Sequence, residues 1–496
     1  MNRVKQRQTW NKEKGYIWSM IGSAVGFANI LSFSALCYRN GGGAFLIPYV
    51  IAHLIIGLPL LFLEGIVGQR TQLPLVSAMG SVAGIKGKMV GWLSILTCAT
   101  IGGFYMVLTG FSVAYTYFSA THSLGLDTEV FFKEVFLCDS GSIEKIGGMA
   151  FHVLIPTLFV AVFTWMVLTR NVRSGIEKIC SLFLPILAFL VTGLACAALF
   201  LPGAVQGLKY YLVPNFSRLL DWILWRDVFG QVFFSLSLGL GIVTGYSRHN
   251  PENFSIPRTM VKVIIGDFLI SFVSGVAIFA CIGFMSFKEQ RPFSDLLSSA
   301  SAFEIGFVIF PTILQQFGNI ISRIIGPLFF FCVFIAGVTG LFSIIESIAG
   351  NVEIELNKNR KVAVRIAMGF VTILSIPFCL GNGQHIIGAI APMVLGNVML
   401  VGGIAEIILF LMMSRVIGNE PIWFSAKGRT YRYYSLKFIV LPLLAISLIG
   451  SLYQELTTDF GINSWIRWIW LALALIGGGM VALKKKPELV DHPTIF

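Results

Sequence analysis

Long apolar stretches separated by short polar connections run along almost the whole chain. About 20 apolar residues in an α-helix cross the hydrocarbon core of a bilayer, so each stretch predicts a membrane-spanning helix. Twelve such stretches lie at residues 16–38, 44–67, 90–120, 148–169, 175–200, 226–248, 259–287, 320–350, 362–380, 386–414, 434–453 and 464–483. The pattern predicts one all-α polytopic membrane domain over residues 1–496 and excludes a β-barrel, whose strands are shorter and alternate.

Two of the predicted helices are interrupted at their centres by small and polar residues. The first contains GSAVGFAN at residues 22–29, and the sixth contains SLSLGLG at residues 235–241. Unwound backbone at this depth is tolerated only where protein buries it or where it lines a wet cavity. Breaks that lie five helices apart indicate two inverted repeats with a binding site between them. We therefore expect one repeat at 16–200, a second at 226–414 and two additional helices at 434–483.

Three connections are longer than the rest, at residues 121–147, 201–225 and 288–319. The last has helical patterning cut by serines and other polar residues. It predicts short helices over the outer face, either as a lid or as a loop without a gating role.

Composition supports the membrane assignment, and the distribution of basic residues predicts the orientation of the chain in the membrane. Charged residues make up 12% of the chain, against about 25% in soluble proteins. With a cytoplasmic N-terminus, 26 of the 36 Lys and Arg residues fall on the inner side. The positive-inside rule then predicts a multi-pass cell-membrane protein with both termini cytoplasmic. The net charge of +12 is explained by topology and does not predict a nucleic-acid partner.

The cysteines and the remaining polar residues give no catalytic signature. Six of the eight cysteines lie within predicted helices, and the other two, Cys37 and Cys138, allow one bridge without requiring it. The sequence has no CxxC or Cys/His metal pattern and no nucleophile–base motif, so we do not expect an enzyme.

Polar residues near the two breaks suggest the chemistry of the ligand. Free N–H groups at the start of a half-helix suit a carboxylate, whereas exposed carbonyls suit a small cation. Hard cations prefer oxygen ligands. The oxygen-bearing side chains near the breaks are Ser23, Asn29, Ser235, Ser237, Asp267 and Thr339. Together they predict a zwitterion bound with cations, although a serine or threonine in a helix commonly bonds only its own backbone.

Two acids lie at membrane depth, where a charged side chain is costly and usually functional. Asp267 is predicted to contact a cation, the alternative being a structural hydrogen-bonding group that does not depend on sodium. Glu64 is either a functional acid or a helix-packing acid near the inner surface.

Four motifs resemble the neurotransmitter:sodium symporter family, in particular its bacterial amino-acid transporters with the leucine-transporter fold. They are GSAVGFANI, NGGGAFLIPY, GQVFFSLSLGLG and AGVTG, in chain order from residue 22 to residue 340. The resemblance implies twelve helices with helices one and six unwound, and transport of an amino acid with sodium.

The resemblance also implies two sodium sites. The first would use the Ala24 carbonyl, the side chains of Asn29, Ser235 and Asp267, and the substrate carboxylate. The second would use the carbonyls of Gly22, Val25 and Ala336 and the hydroxyl of Thr339. Gly340 stands where a further hydroxyl is usual, which puts two-sodium coupling in doubt.

For the substrate, the resemblance implies a largely apolar pocket in which Tyr105 meets the carboxylate and Phe234 closes over the ligand. The pocket would be lined by Ser23, Ala24, Phe27, Ala28, Ile101, Tyr105, Phe234, Ser235, Ser237, Leu240, Gly340 and Ile344. Such walls favour a neutral aliphatic or aromatic L-amino acid.

The remaining expectations concern the inner and outer gates, the support of the unwound helix and the need for chloride. Glu64 would hydrogen-bond the unwound backbone of helix one, and Arg7 with Trp10 would form an inner gate. Ser32 and the region of Ala391 replace the arginine and aspartate of the usual outer gate. Asp267 could supply the charge that chloride supplies in dependent members, while Ser271 resembles a chloride-holding serine. The acidic partner of the inner gate would be Glu353 or Glu355.

The sequence thus predicts a sodium-coupled secondary transporter that imports a neutral, hydrophobic or aromatic amino acid by alternating access. One alternative is a proton-coupled amino-acid transporter that uses Asp267, and another is a non-transporting sensor on the same scaffold. The expected partners are sodium ions, an amino acid and the lipid bilayer, with no organic cofactor. Chloride dependence, oligomeric state and the identity of the amino acid stay open.

Overall fold

The computed structural model describes residues 8–125, 127–292, 302–315, 319–416, 434–458 and 460–483. Regular structure in these ranges is helical, apart from an isolated antiparallel bridge between Met149 and Leu380. The all-α polytopic fold is therefore confirmed.

Twelve helices in these ranges correspond to the predicted spans. We name them α1 (Glu13–Ala24 with Ala28–Arg39), α2 (Gly43–Thr71), α3 (Leu75–Thr121), α4 (Phe151–Leu168), α5 (Arg173–Leu199), α6 (Trp222–Ser235 with Ile242–Ser247), α7 (Ile256–Glu289), α8 (Ser322–Glu355), α9 (Arg360–Cys379), α10 (Gly383–Leu411), α11 (Leu436–Thr457) and α12 (Ile462–Leu483). Ten are long and apolar enough to cross a membrane, and the bent pair of α1 makes an eleventh. Neither half of α6 reaches that length, because the break divides it.

The first half of α1 ends at Ala24, and the second half begins at Ala28 with a helical turn of π type. Val25 between them is extended, with φ −78° and ψ 112°. The two halves are bent by 53°. The predicted break in the first helix is confirmed.

The break in α6 depends on backbone conformations that favour glycine. After Ser235 the chain passes through Ser237, Gly239 and Gly241, with φ of 55°, 73° and 67°. Glycine adopts positive φ without a steric penalty because it has no Cβ. The helix resumes at Ile242, so the second predicted break is also confirmed.

The broken helices lie near the centre of the bundle. In α3 and α8, 89% of the most apolar 18-residue window is buried by protein, against 22% in α11 and α12. The first half of α1 packs against α5, α7 and α8, and the second half of α6 packs against α2 and α8. The unwound segments are thus enclosed by protein, whereas α11 and α12 present most of their apolar surface outwards.

A short apolar helix at Ile305–Gln315 lies in the third long connection. The ring of its Phe310 stacks on Phe329 of α8, with centroids 3.8 Å apart. A Cβ atom at Gly306 would meet the Leu31 side chain at 2.8 Å, so this helix rests on the second half of α1. That position is the one expected of a cover over the outer face.

Candidate functional site

A pocket with about 370 Å³ of empty space lies between the two breaks. It is lined by Ser23, Ala24, Gly26, Ala28, Ile101, Tyr105, Phe234, Ser235, Ser237, Leu240, Ile242, Gly340 and Ile344. Eleven of the twelve residues expected from the sequence are thereby brought together, and Gly26 and Ile242 join them. None of the lining residues is charged.

Phe27 is the twelfth expected residue, and the structure does not place it in this lining. Its ring packs edge-on against Tyr105, with centroids 4.8 Å apart. A Cβ at Gly337 would meet the Phe27 ring at 2.7 Å. Phe27 therefore supports Tyr105 from behind, because its position in the bend of α1 turns it toward α8.

The Tyr105 hydroxyl sits between two glycines of the lining. It lies close to the backbone of Phe27 in the α1 break. A Cβ at Gly340 would meet its oxygen at 2.6 Å, and a Cβ at Gly26 would collide with the same oxygen. This contact gives a steric reason for glycine at position 340, where the resemblance led us to expect a hydroxyl.

A buried polar cluster adjoins the pocket on the side of α7. The Ser235 hydroxyl donates to the Asp267 Oδ1 at 2.5 Å, and the Asn29 Nδ2 donates to the same oxygen at 2.7 Å. Asn29 and Asp267 are both 0% exposed. Residues expected at the first sodium site are therefore adjacent, although Asn29 is more than 200 positions away from the other two in sequence.

Asn29 turns its amide nitrogen, and not its oxygen, toward this cluster. Its Oδ1 accepts from the Gly26 N–H at 2.8 Å instead. The surrounding carboxylate and hydroxyl oxygens are acceptors, so an NH₂ group satisfies them in this arrangement. A half-turn of the amide would present Oδ1 beside Ser235 and Asp267, and three oxygen ligands for a hard cation would then converge.

His53 is a charged-group partner in the site that the sequence reasoning missed. It is 2% exposed; its Nε2 lies 2.8 Å from the Asp267 Oδ2, and its Nδ1 lies 2.8 Å from the Tyr49 carbonyl. A carbonyl can only accept, so Nδ1 carries a proton. The Nε2–Oδ2 hydrogen bond then needs a second proton, held by either the imidazole or the carboxyl group.

Two hydroxyls complete the surroundings of Asp267. The Tyr49 hydroxyl lies 3.4 Å from Oδ2 and 3.1 Å from the Ser271 Oγ. Ser271 also accepts from the Asn29 Nδ2 at 2.8 Å. A histidine in the apolar run of α2 was the available sequence signal for this half of the cluster, because few residues in that run can hydrogen-bond.

The residues expected at the second sodium site also meet. The Thr339 hydroxyl lies 2.9 Å from the Ile335 carbonyl and 3.2 Å from the Ala336 carbonyl, and a Cβ at Gly22 would lie 3.5 Å from that hydroxyl. The Gly26 N–H, which would continue the helix onto the Gly22 carbonyl, is held by Asn29 instead. The Gly22 carbonyl therefore does not accept the usual helical hydrogen bond from Gly26, and it lies at the position where a cation ligand was expected. Val25, the next expected carbonyl ligand, is in extended conformation.

Hydrogen bonds join the two breaks across the pocket. The Ser237 hydroxyl donates to the Ser23 carbonyl at 3.3 Å, and the Gln231 Nε2 donates to the Ala28 carbonyl at 2.7 Å. The Ser32 hydroxyl donates to the Gln231 Oε1 at 3.0 Å. Ser32, which replaces the usual gate arginine, therefore has a neutral partner on α6.

Glu64 supports the second break and not the first. Its Oε1 accepts from the Gly239 N–H in the unwound part of α6 at 3.1 Å, which corrects the expectation that it supports helix one. The reason is that α2 packs along the second half of α6. Its other neighbour is the buried Glu406 of α10.

Trp10 and a charged network lie together at the end of the bundle where the inner gate was expected. The Trp10 Nε1 donates to the Tyr246 carbonyl at 2.9 Å, and Arg248 lies 3.4 Å from Glu353. The His249 Nε2 lies 3.1 Å from Glu346. The pKa of the His249 imidazole is lowered, mainly by burial and to a smaller extent by the positive charge of Arg248. Arg7, expected beside Trp10, lies outside the described residues. Glu355 pairs instead with Lys88 at 2.9 Å.

Comparisons with known proteins bear on the family and the fold of this chain. A family model described as the sodium:neurotransmitter symporter family matches residues 7–129 and 125–483. An uncharacterized sodium-dependent transporter of Methanocaldococcus jannaschii is 32% identical over 409 residues, which are 82% of each chain. The sodium- and chloride-dependent GABA transporter 2 of Rattus norvegicus is 28% identical, over 69% of this chain and 61% of its own.

A solved structure shares the fold. The crystal structure of MhsT in complex with L-phenylalanine superposes with a TM-score of 0.74 at 24% identity, and the match covers 90% of this chain and 100% of that one.

Proposed function

This chain belongs to the sodium:neurotransmitter symporter family, and from that membership we propose that it imports a neutral, hydrophobic or aromatic amino acid with sodium by alternating access. Its relatives are sodium-dependent transporters, and the apolar helices make it a multi-pass membrane protein. The observation that carries the proposal is the uncharged pocket between the two breaks, next to the buried oxygen cluster around Asp267.

The pocket chemistry supports the substrate class. Ile101, Leu240 and Ile344 supply apolar walls, so a charged side chain would lose its hydration without gaining a partner. The backbone of the α1 break and the Tyr105 hydroxyl offer polar contacts for the amino and carboxylate groups. A solved relative of the same fold is described with bound L-phenylalanine, which is consistent with an aromatic substrate.

The cluster beside the pocket supports direct coupling to sodium. Ser235 belongs both to the pocket lining and to the hydrogen-bonded group around Asp267. A sodium ion held by Asp267, Ser235 and a turned Asn29 amide would lie at the edge of the pocket, where a substrate carboxylate could complete its ligands. Each positive charge carried inward gains about 2.3 kcal/mol per 100 mV of membrane potential.

The test is an uptake screen with purified protein in liposomes over the twenty amino acids. Sodium, chloride and proton gradients are imposed one at a time. We expect uptake of at least one neutral apolar or aromatic amino acid, driven by an inward sodium gradient. Absence of sodium-gradient stimulation for every substrate would contradict the proposal, and stimulation only with a charged amino acid would contradict the substrate class.

A single substitution tests the sodium cluster. Asp267→Asn keeps the size of the side chain but removes its charge and places an NH₂ group beside donors. We expect the half-saturating sodium concentration to rise at least tenfold, about 1.4 kcal/mol. A variant that folds and keeps the normal sodium dependence would show that Asp267 is only a structural hydrogen-bonding group.

A second candidate function is proton coupling, and the observation that favours it is the hydrogen bond between His53 and Asp267. The same screen separates the two candidates. Uptake driven by an inward proton gradient without sodium would favour the second candidate, and uptake that needs sodium at equal pH would favour the first.

A further inference from the structure

The connection between α5 and α6, at residues 201–225, carries a large amount of exposed apolar surface. It contains a helix at Ala204–Leu212, which we call the connection helix, and a 3₁₀ turn at Phe216–Leu220. Val205 on the connection helix is 65% exposed, and Leu220 at the end of the turn is 91% exposed. Leu212 and Phe216 are also exposed. Contiguous apolar surface of this kind marks an interaction site.

The connection helix packs lengthwise against α7. A Cβ at Gly207 would collide with the Phe279 carbonyl, so the two backbones are in contact there. One turn further along the connection helix, the Tyr211 hydroxyl donates to the Phe272 carbonyl at 3.0 Å. The connection helix therefore runs back along α7, from the level of Phe279 toward that of Phe272.

The charges of α7 show how deep this contact lies. Between Asp267 and Lys288 the sequence of α7 contains no charged residue. Phe279 precedes Lys288 by nine residues, which is about 14 Å of helix. The connection helix therefore lies beside apolar turns of a membrane-spanning helix and not beyond the charged end of that helix.

The exposed side of the connection helix is divided into an apolar and a polar part. Val205 and Leu212 are seven positions apart and lie on one face. Gln206 and Lys209 are exposed on the adjoining edge, where a lysine can extend its charge toward lipid headgroups. An apolar face beside a polar edge is typical of a helix that lies in the membrane interface.

The connection also begins and ends at exposed apolar residues. Phe200, which follows the last residue of α5, and Trp222, the first residue of α6, are both exposed. Tryptophan is enriched where membrane and water meet. Exposed apolar surface therefore continues from the apolar span α5 through the connection to α6.

We propose that the connection between α5 and α6 is a membrane-binding surface, which places Val205, Leu212, Phe216 and Leu220 in the lipid of the adjacent leaflet. The partner is the bilayer itself, because the bilayer surrounds α5 and α7 at the depth where the connection helix lies. Lipid covers the apolar face there, and the polar edge faces the headgroups.

This surface is joined directly to the turn between α1 and α2. The Tyr210 hydroxyl donates to the Tyr38 carbonyl at 2.8 Å. A Cβ at Gly42 would collide with the Tyr210 carbonyl, and a Cβ at Gly43 would meet the Val213 carbonyl carbon at 2.6 Å. The membrane contact therefore helps to hold the second half of α1, which follows the break at the substrate pocket.

The test measures what surrounds each side chain. Single cysteines are introduced by Val205→Cys and Leu212→Cys into the full chain, in a background with Cys138→Ser and Cys196→Ser. They are spin-labelled in nanodiscs, and collisions are measured with oxygen, which concentrates in lipid, and with a water-soluble nickel chelate. We expect frequent collisions with oxygen and few with nickel at both positions.

Two reference positions calibrate the result. Phe189→Cys places the label on the exposed apolar side of α5, and Glu144→Cys places it in the exposed connection between α3 and α4. We expect Val205→Cys and Leu212→Cys to resemble the α5 reference. Gln206→Cys, on the polar edge of the same helix, should collide more often with nickel than either of them.

A matched pair of variants gives an independent measurement. Val205→Asp and Gln206→Asp both introduce a carboxylate at an exposed position in the first turn of the connection helix, so the helix dipole affects them alike. An exposed substitution in water changes stability little, whereas a charge that faces lipid is costly. In nanodiscs we expect a lower melting temperature for Val205→Asp and an unchanged one for Gln206→Asp.

Several outcomes would overturn the membrane-binding surface. Nickel collisions at Val205→Cys and Leu212→Cys as frequent as at Glu144→Cys would place the connection in water. Few collisions with either reagent would show that protein, such as a second copy of the chain, covers the face. Equal melting temperatures of the two aspartate variants would also contradict the proposal.

The link to α1 is tested by uptake, once the liposome screen has found a substrate. We expect Val205→Asp to slow uptake relative to Gln206→Asp. Equal uptake by the two variants would show that the membrane contact does not act on α1.

Discussion

At the scale of single residues, His53 determines how Asp267 is held. Its Nε2 contacts one carboxylate oxygen, which leaves the other oxygen for Ser235 and Asn29. Removing one partner of a buried charged group destabilises a protein strongly, by about 3–5 kcal/mol. If Asp267 binds sodium as proposed, His53 is a positioning residue, which acts on sodium through this carboxylate.

Substitution of His53 tests this role. His53→Phe removes the hydrogen bond, so we expect a lower melting temperature and a half-saturating sodium concentration about ten times higher. His53→Gln keeps an N–H donor and should restore much of the sodium affinity. The measurement is sodium-dependent uptake at saturating substrate. Normal sodium dependence in His53→Phe, with only the melting temperature lowered, would show a purely structural role.

Gly340 illustrates how a departure from a motif can have a steric cause. We expect both Gly340→Ala and Gly340→Ser to raise the substrate KM, because a Cβ there meets the Tyr105 hydroxyl. Overpacking typically costs about 1–3 kcal/mol. In a Tyr105→Phe background, which lacks that hydroxyl, the added cost of Gly340→Ala should largely disappear.

The serine and alanine variants separate two explanations of position 340. If Gly340→Ser lowers the sodium concentration needed for uptake while Gly340→Ala does not, the missing hydroxyl limits the second sodium site. If both variants only weaken substrate binding, contact with Tyr105 explains the glycine.

At the scale of elements, the two breaks depend on backbone that only small residues allow. Gly239 has φ +73°, and a Cβ there would meet the Met399 carbonyl at 2.8 Å and the Gly403 nitrogen at 2.9 Å. A residue other than glycine in this conformation costs about 1–2 kcal/mol before any collision. The Gly239 N–H also donates to Glu64. A shift of Gly239 would therefore weaken the hydrogen bond by which Glu64 holds the unwound part of α6.

We expect Gly239→Ala to lower the melting temperature and abolish uptake, because the backbone must move away from α10 and Glu64. Gly230→Ala is the matched control on the preceding half of α6, where a Cβ would meet nothing within 4 Å. Alanine favours an ordinary helix by about 1 kcal/mol over glycine, so this variant should be as stable as the unchanged protein. Equal stability of both variants would contradict the role of Gly239.

Helix breaks are predictable from the chain because glycine clusters within apolar runs are local signals. The extension of α3 back to Leu75 was not predicted. It includes a non-helical kink at Ala83 and Gly84, the latter with φ 57° and ψ −134°. The segment before the kink is less apolar than the membrane-spanning part of α3. A prediction from hydropathy alone therefore places the start of the helix near residue 90.

At the scale of the whole molecule, the direction of insertion is still a prediction. Cys138 is exposed in the connection between α3 and α4, whereas most of the other described cysteines are buried. With both termini cytoplasmic, this connection faces outward. A membrane-impermeant maleimide should therefore label intact cells at Cys138, and Cys138→Ser should remove the label.

The opposite topology gives a distinct result. Labelling only after the cells are permeabilised, in the unchanged protein but not in Cys138→Ser, would place that connection inside. Cys196 is exposed on α5, but this helix is an apolar span, so its thiol is expected to face lipid and react poorly.

The sequence by itself determined the all-helical membrane fold, the positions of both breaks and most of the pocket lining. These depend on local properties of the chain, namely apolar length and the freedom of glycine, and on motifs that place known roles at fixed spacings. The tertiary structure alone decided which side chains meet across long distances in sequence. His53 reaches Asp267, and Glu64 supports α6. Such partners depend on how twelve helices pack, and the order of residues along one helix does not specify them.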